Sequence, residues 1–348
     1  MAHLPDYLEI SKDIGLSVSG LQKQFNGTSA WVILVDENTR KHCYPKISSF
    51  LPEHELIMIP SGENHKNLKT CESIWAEMTR MGLDRKALLL NLGGGVIGDM
   101  GGFAASAYKR GISFVNLPTT LLSQVDASIG GKLGVDFLGF KNHIGLFRDP
   151  QKVIVYQPFL ESLPDRELRS GFAEVIKHNL IRDQAHWKKL KSGNWQSVIT
   201  PELIEHSIRI KSEIVNEDPF ENGPRKLLNY GHTVGHALET CYLESDTPLL
   251  HGEAIAAGMI IENFIAAMKN LIGETDLQEA NEYILSVYGK ITIQEEDIPE
   301  IVNLARQDKK NEKGEIRATL ISGIGNAAWD IPVTRDELIL SIHSYISI

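Results

Sequence analysis

The chain has 348 residues, 42% of them hydrophobic and 23% charged, which is the composition of a globular protein with material for one large or two ordinary domains. Its formal net charge of −10 lacks the basic footprint that nucleic-acid phosphates require, while leaving room for a local basic pocket around a small anion. Three cysteines without a CxxC pair, an N-terminus unlike a signal peptide, and no apolar run near the roughly 20 residues of a membrane span predict a cytoplasmic protein that neither binds nucleic acid nor enters a membrane.

Five short apolar runs punctuate the first half: WVILVD (31–36), ELIMIP (55–60), ALLLNL (87–92), ISFVNLP (112–118) and KVIVY (152–156). Each reads as a buried strand, and NLKTCESIWAEMTRMG (67–82) between them has helical periodicity closed by Gly82. Strands alternating with helices predict a largely parallel sheet covered on both faces. From about Glu161 the β-branched runs thin out, and amphipathic segments take over at 165–191, 201–217, 231–243, 251–270, 274–288 and 297–308. QPFLESLPDRE (157–167), with two prolines, is the joint. The expected architecture is an α/β nucleotide-binding domain over 1–163 followed by an all-α metal- and substrate-binding domain over 164–348.

Four groups of residues suit chemistry. GGGVIGDMGGF (93–103) directly follows a strand and contains GxGxxG at Gly93, Gly95 and Gly98. Such glycines let a pyrophosphate approach the backbone at a helix N-terminus. A tight strand–helix turn accounts for the same glycines, so the pattern alone leaves both readings open. The acid usually found about 20 residues downstream is missing, and Asp36, at the end of an earlier strand, is the candidate ribose ligand. Next, LPTTLLSQVDASIGGKLGVDFLGFKNHIGLF (117–147) gathers Thr119, Thr120, Asp126, Lys132, Lys141 and Asn142 among glycines, which suits a ligand loop more than a core element. In NYGHTVGHALE (229–239), His232 and His236 share a helix face, and His251 with Glu174 would complete a histidine–carboxylate metal set. Spacing leaves open whether His236 is a ligand or a neighbour. Finally, Arg110, Lys211, Arg225, Lys309 and Lys310 are cations in polar contexts, each of which reads by itself as a solvated surface charge, and periodicity does not link them to one pocket.

Taken in order, these motifs resemble the 3-dehydroquinate synthase family of sugar-phosphate cyclases. The resemblance runs from VD at 35–36 through SGExxK (61–66), GGGVIGDMGGF, LPTTLLSQVDASIGGK, KNxIGxF, the RE at 166–167, AEVIKH (173–178), NYGHTVGHALE and HGE (251–253) to DKK (308–310). It implies an N-terminal NAD-binding domain, a C-terminal helical metal domain and a homodimer. Carried over position by position, it assigns a divalent metal, zinc or cobalt, to Glu174, His232 and His251. NAD falls to Asp36, Glu63, Lys66, Gly94, Gly95, Val96, Asp99, Thr119, Thr120, Lys132, Lys141, Phe159, Ser162 and Glu167. A small anionic sugar-phosphate substrate falls to Asp126, Lys132, Asn142, Lys177, Lys211, Arg225, Asn229, His236 and Lys309, with Arg110 donated across the dimer. Leu133 stands where the family more often has threonine and Asp136 where it often has asparagine, and 218–225 is a variant of an acidic stretch that leaves Glu221 without an assigned role.

The implied reaction converts 3-deoxy-D-arabino-heptulosonate 7-phosphate to 3-dehydroquinate and phosphate, within the shikimate pathway. It proceeds by transient oxidation with NAD, phosphate elimination, re-reduction and aldol closure. Relatives that close the same ring on other sugar phosphates, such as 2-deoxy-scyllo-inosose synthase, and a metal-dependent alcohol dehydrogenase are the competing readings. Asn229 and His236, kept here with Lys211 and Arg225, favour the carboxylate-bearing substrate.

Overall fold

The apolar runs of the first half become parallel strands. The computed structural model describes residues 4–138, 140–307 and 315–348, and the chain divides into two compact units, Met1–Leu168 and Arg169–Ile348. The strands of the first unit are β1 (Leu8–Ile10), β2 (Trp31–Val35), β3 (His54–Met58), β4 (Leu88–Gly93), β5 (Ser113–Pro118), β6 (Lys132–Phe137), β7 (Phe140–Phe147) and β8 (Lys152–Val155). Six of them form one sheet in the order β1-β8-β5-β4-β2-β3, with every neighbouring pair parallel.

Helices α1 (Ile14–Gln24), α2 (Glu37–His42), α3 (Leu68–Arg80) and α4 (Gly95–Ala107) connect the strands. Asp13, Asp36 and Asn67 cap the first three by accepting a backbone N–H three residues on. Alternation along β2 shows why the strand is apolar throughout. Trp31, Ile33 and Val35 pack with Val18 and Leu21 of α1 on one face, and Val32 and Leu34 pack with Ile74, Met78 and Met100 of α3 and α4 on the other. From β2 the chain moves outward to β3. It then crosses back to β4 and continues through β5 toward the opposite edge, so the winding direction reverses between β2 and β4. In open α/β sheets the crevice at the carboxyl ends of two such strands is where ligands bind.

Two expectations are corrected here. Part of the glycine-broken stretch 117–147 is an antiparallel hairpin, β6–β7, whose Leu133 and Val135 belong to the core of the first unit. Its glycines are steric: a Cβ on Gly145 would lie 2.2 Å from the Leu133 carbonyl oxygen. The second unit is helical but not all-α. It comprises α5 (Asp165–Arg182), α6 (Gln184–Leu190), α7 (Pro201–Glu217), α8 (His232–Cys241), α9 (His251–Met268), α10 (Glu274–Tyr288), α11 (Ile298–Gln307) and α12 (Arg335–Ser347), together with an antiparallel hairpin of β9 (Ile316–Ile321) and β10 (Ala327–Val333). β9 lies against α9 and buries Ala318, Leu320 and Ile321, which a lone surface strand could not do.

Glycines set the spacing of α8 and α9. A Cβ on Gly258 would come 2.2 Å from the Gly231 carbonyl oxygen, and one on Gly235 would come 2.7 Å from Ile255. The amino end of α9 is equally close to α5, because a Cβ on Gly252 would meet the Ser170 carbonyl oxygen at 1.9 Å. Among the described residues no helix is long and apolar enough to cross a membrane.

Candidate active site

The carboxyl ends of β2, β4 and β5 carry Asp36, Gly93–Gly95 and Thr119–Thr120. Thr119 N–H donates to the Gly93 carbonyl at 3.0 Å, which ties two of these ends together. α4 opens behind Gly94 with no side-chain cap, leaving its first amides for an anion. Gly94 sits so close to Thr120 that a Cβ would be 3.0 Å from its methyl group. Asp36 is also the cap of α2: its Oδ1 accepts from Thr39 N (2.7 Å) and Thr39 Oγ1 (3.0 Å). Val96 lies half-buried on the first turn of α4.

Several sequence-predicted cofactor residues meet in one ionic network. Lys66, 5% exposed, puts its Nζ 2.6 Å from Asp99 Oδ2 and donates at 2.6 Å to Asn142 Oδ1. Lys141 Nζ lies 3.1 Å from Glu63 Oε1 and 3.6 Å from Asp136 Oδ2. Burial opposes the charge on Lys66, yet Asp99 and Glu63 outweigh it and hold the ammonium above its ordinary range. Asp136 accepts the backbone N–H of Asn142 at 2.7 Å, at a residue whose φ is +48°. The acid that departs from the family's asparagine thus anchors a left-handed turn beside Lys66 and Lys141. Asn142, expected among the substrate ligands, stands with the cofactor group. Leu133, the other departure, faces the core against Gly102 rather than the loop.

The remaining first-unit candidates are more dispersed. Phe159 is buried in the core with its ring against Tyr156, so only its backbone is available to a ligand. Ser162 and Glu167 are exposed. Asp126 lies in the π-helical turn Ser123–Ala127, and Lys132 is exposed at the head of β6. Arg110 is exposed at φ +67°, just before the amino end of β5. That is the end of the strand opposite Thr119, about 20 Å away along six residues.

In the second unit, α5, α8 and α9 bring Glu174, His232 and His251 together, with one ligand atom from each lying within 4.8 Å of the others. His232 Nε2 is 3.6 Å and His251 Nε2 3.7 Å from Glu174 Oε1. Each imidazole is held from behind: His232 Nδ1 lies 3.0 Å from the Tyr230 carbonyl, and His251 Nδ1 lies 3.0 Å from Glu239 Oε2. That second-layer hydrogen bonding is how metal-binding histidines are oriented. Burial works against a charge on His251, but hydrogen bonds to Glu174 and Glu239 prevail and push it up to about 10. Two carboxylates therefore already collect positive charge at this point. His236, with Glu239 and His251, forms an overlapping set, and its ring lies 5.1 Å from that of His232. Glu239, which serves His251 from behind, was not singled out in the sequence. Its signal was its place seven residues after His232, on the same face of α8.

Lys177, 1% exposed, forms an ion pair with Glu174 one turn away on α5. Lys211 and Arg225 are buried on α7 and on the turn Pro224–Asn229. Asp218 organises the stretch before that turn by accepting N–H groups from Asn222, Gly223 and Arg225. Glu221, at φ +62°, accepts a 2.8 Å hydrogen bond from the Asn229 amide, which supplies the role that the sequence left open. Lys309 lies outside the described residues.

Comparison with known proteins agrees across the chain. The family model described as 3-dehydroquinate synthase N-terminal matches residues 56–170, and the one described as 3-dehydroquinate synthase C-terminal matches 171–311. The 3-dehydroquinate synthase of Parabacteroides distasonis is 36% identical over 318 residues, 90% of each chain. That of Sulfurovum sp. is 42% identical over 279 residues, 79% of this chain and 78% of the relative. Among solved structures, 2-epi-5-epi-valiolone synthase from Streptomyces hygroscopicus, with NAD+ and Zn2+ bound, superposes with a TM-score of 0.87 at 24% identity, covering 100% of this chain and 98% of that one. A 2-deoxy-scyllo-inosose synthase complexed with carbaglucose-6-phosphate, NAD+ and Co2+ gives 0.82 at 24% identity, covering 97% and 96%. These two likenesses establish the fold.

Proposed function

The chain belongs to the 3-dehydroquinate synthase family, and from that premise we propose how its residues convert 3-deoxy-D-arabino-heptulosonate 7-phosphate to 3-dehydroquinate and phosphate. The observation that carries the reading is the convergence of Glu174, His232 and His251 in a chain whose relatives share one activity over most of their length. One carboxylate and two imidazoles are the donor set of a catalytic zinc-type site that keeps a coordination position for substrate. When bound, NAD is a reversible acceptor for one substrate hydride, and the divalent metal is a Lewis acid toward the substrate hydroxyls.

The chain's own residues bind, orient and balance charge. The amino end of α4 receives the dinucleotide pyrophosphate, Asp36 the ribose, and the network of Glu63, Lys66, Asp99 and Lys141 frames the crevice. Glu174, His232 and His251 hold the metal. Lys177 pairs with Glu174 and directs it, and Glu221 fixes the Asn229 amide so that it meets a substrate oxygen in one orientation. Within the second unit, Lys211, Arg225 and His236 are the groups for the substrate's carboxylate, phosphate and hydroxyls. The elimination step needs a base, and the leaving phosphate of the substrate itself serves.

Arg110 is supplied by a second protomer. It sits at the amino end of β5, remote from the crevice at the carboxyl ends, so a contribution in trans is the arrangement consistent with a phosphate contact. A cytoplasmic setting suits the free thiols, of which Cys43 and Cys71 are buried.

Substrate choice tests the reading. Purified protein given zinc or cobalt and a trace of NAD should release phosphate from 3-deoxy-D-arabino-heptulosonate 7-phosphate and not from sedoheptulose 7-phosphate or glucose 6-phosphate. Release from either of the latter alone would keep the fold and abandon the substrate.

A further inference from the structure

The two histidines that converge on Glu174 share a liability. His232 is the first residue of α8 and His251 the first residue of α9. The amino end of a helix carries partial positive charge, which disfavours a cation held there. The two helices meet this in different ways. In α9, Glu253 of the first turn accepts the Leu250 N–H at 2.9 Å, so the helix carries its own acid. In α8 the cap is Gly231, and the first turn contains no acidic residue.

The acid comes from α9 instead. Glu262, 0% exposed, accepts the Gly231 N–H at 2.6 Å through Oε2 and the Val234 N–H at 3.2 Å through Oε1. Each oxygen of this side chain thus takes one amide of the chain that enters α8. Its neighbour Asn263, also buried, accepts from the Tyr230 hydroxyl at 2.5 Å and donates to Asn281 at 2.8 Å. Tyr230 in turn holds His232 Nδ1 through its carbonyl. Residues 262 and 263 therefore grip the chain on both sides of Gly231, whose φ is +81° and whose missing Cβ would collide with Met259 at 2.5 Å.

We infer that Glu262 is a positioning residue for the metal, which neutralises the amino end of α8 and fixes the direction of the His232 lone pair. The inference rests on the metal reading above and extends it to a residue that touches neither metal nor substrate. Loss of an outer partner of this kind weakens metal binding by about 10–100-fold while leaving the ligands in place.

The test is Glu262→Gln in the full chain, which keeps the shape and one acceptor and removes the charge. Zinc affinity is measured by chelator competition, the d–d absorption of the cobalt-loaded protein is recorded, and unfolding of the metal-free protein is followed. The expected result is a zinc Kd weakened about tenfold, a shifted cobalt band, and turnover that recovers as metal is titrated to saturation. A lower unfolding temperature with an unchanged zinc Kd and cobalt band would overturn the inference and leave Glu262 a structural residue. If Glu262→Gln does not fold, Glu262→Asp, whose shorter side chain withdraws both acceptors from the Gly231 and Val234 N–H groups, is read by the same three measurements, and an unchanged Kd and cobalt band there overturn it equally. Failure of the parent protein to bind a stoichiometric metal would instead overturn the metal reading itself.

Discussion

His232 illustrates how several weak constraints converge on one side chain. Its Nδ1 is held by Tyr230, its backbone neighbours by Glu262, and its Nε2 faces Glu174. The proposed metal therefore depends on donors that are aimed before it arrives. Glu174→Ala and His232→Ala should each leave dialysed protein with far less than one equivalent of metal. Turnover should fall below the roughly 10–100-fold loss typical of an outer partner. A metal-free variant with full activity would refute the assignment. Elsewhere at this scale, His206 is held neutral: burial, with the stacked ring of His186 3.7 Å away, pushes it down to about 4 against an opposing Asp183. The unfolded chain binds that proton near pH 6.5, so the folded protein gives up stability as pH falls from about 6.5 toward 4. Urea titrations over that range should show the loss, and His206→Gln should flatten it.

At the scale of elements, two helices meet through glycine. Gly258→Ala would set a methyl carbon 2.2 Å from the Gly231 carbonyl, so α8 and α9 must move apart. Overpacking of this sort costs about 1–3 kcal/mol. Equilibrium unfolding should report it, together with weaker metal binding, because His232 and His251 ride on the two helices. The sequence made the long elements legible. β2, β4 and β5 are continuous apolar runs, and α3 is bounded by a capping Asn67 and a closing Gly82 at φ +68°. It hid both hairpins. In β6–β7, glycines needed for close strand approach imitate a loop, and the carboxylate of Asp136, at a register irregularity between Val135 and Phe137, reads as ligand-loop polarity. In β9–β10 the register also shifts, between Ala328 and Ile331, so the alternation that announces a strand is broken. The site was legible for a different reason. GxGxxG, HTVGH and HGE are local in sequence, whereas Glu262 and Glu221 act on residues of other turns or helices and carry no motif of their own.

At the scale of the whole molecule, Arg110 decides whether one chain suffices. It lies before the amino end of β5, the end of the strand opposite the crevice, beside the basic residues Arg85, Lys86 and Lys109. If it serves a partner's site, then Arg110→Ala and Glu174→Ala proteins, each nearly inactive alone, should regain activity on mixing, up to about a quarter of the parent by the statistics of random pairing in dimers. No recovery from subunits shown to exchange would place Arg110 outside the reaction. Fold alone leaves net oxidation and transient oxidation undistinguished, because one fold hosts several chemistries.

The most direct test of transient oxidation follows phosphate and NADH together while purified protein, zinc or cobalt and sub-stoichiometric NAD act on 3-deoxy-D-arabino-heptulosonate 7-phosphate. Phosphate release far exceeding the NAD supplied, one 3-dehydroquinate per phosphate, no net absorbance from NADH and loss of all turnover on chelation is the predicted result. NADH accumulating in step with substrate consumption, or phosphate release that survives removal of the metal, would contradict it.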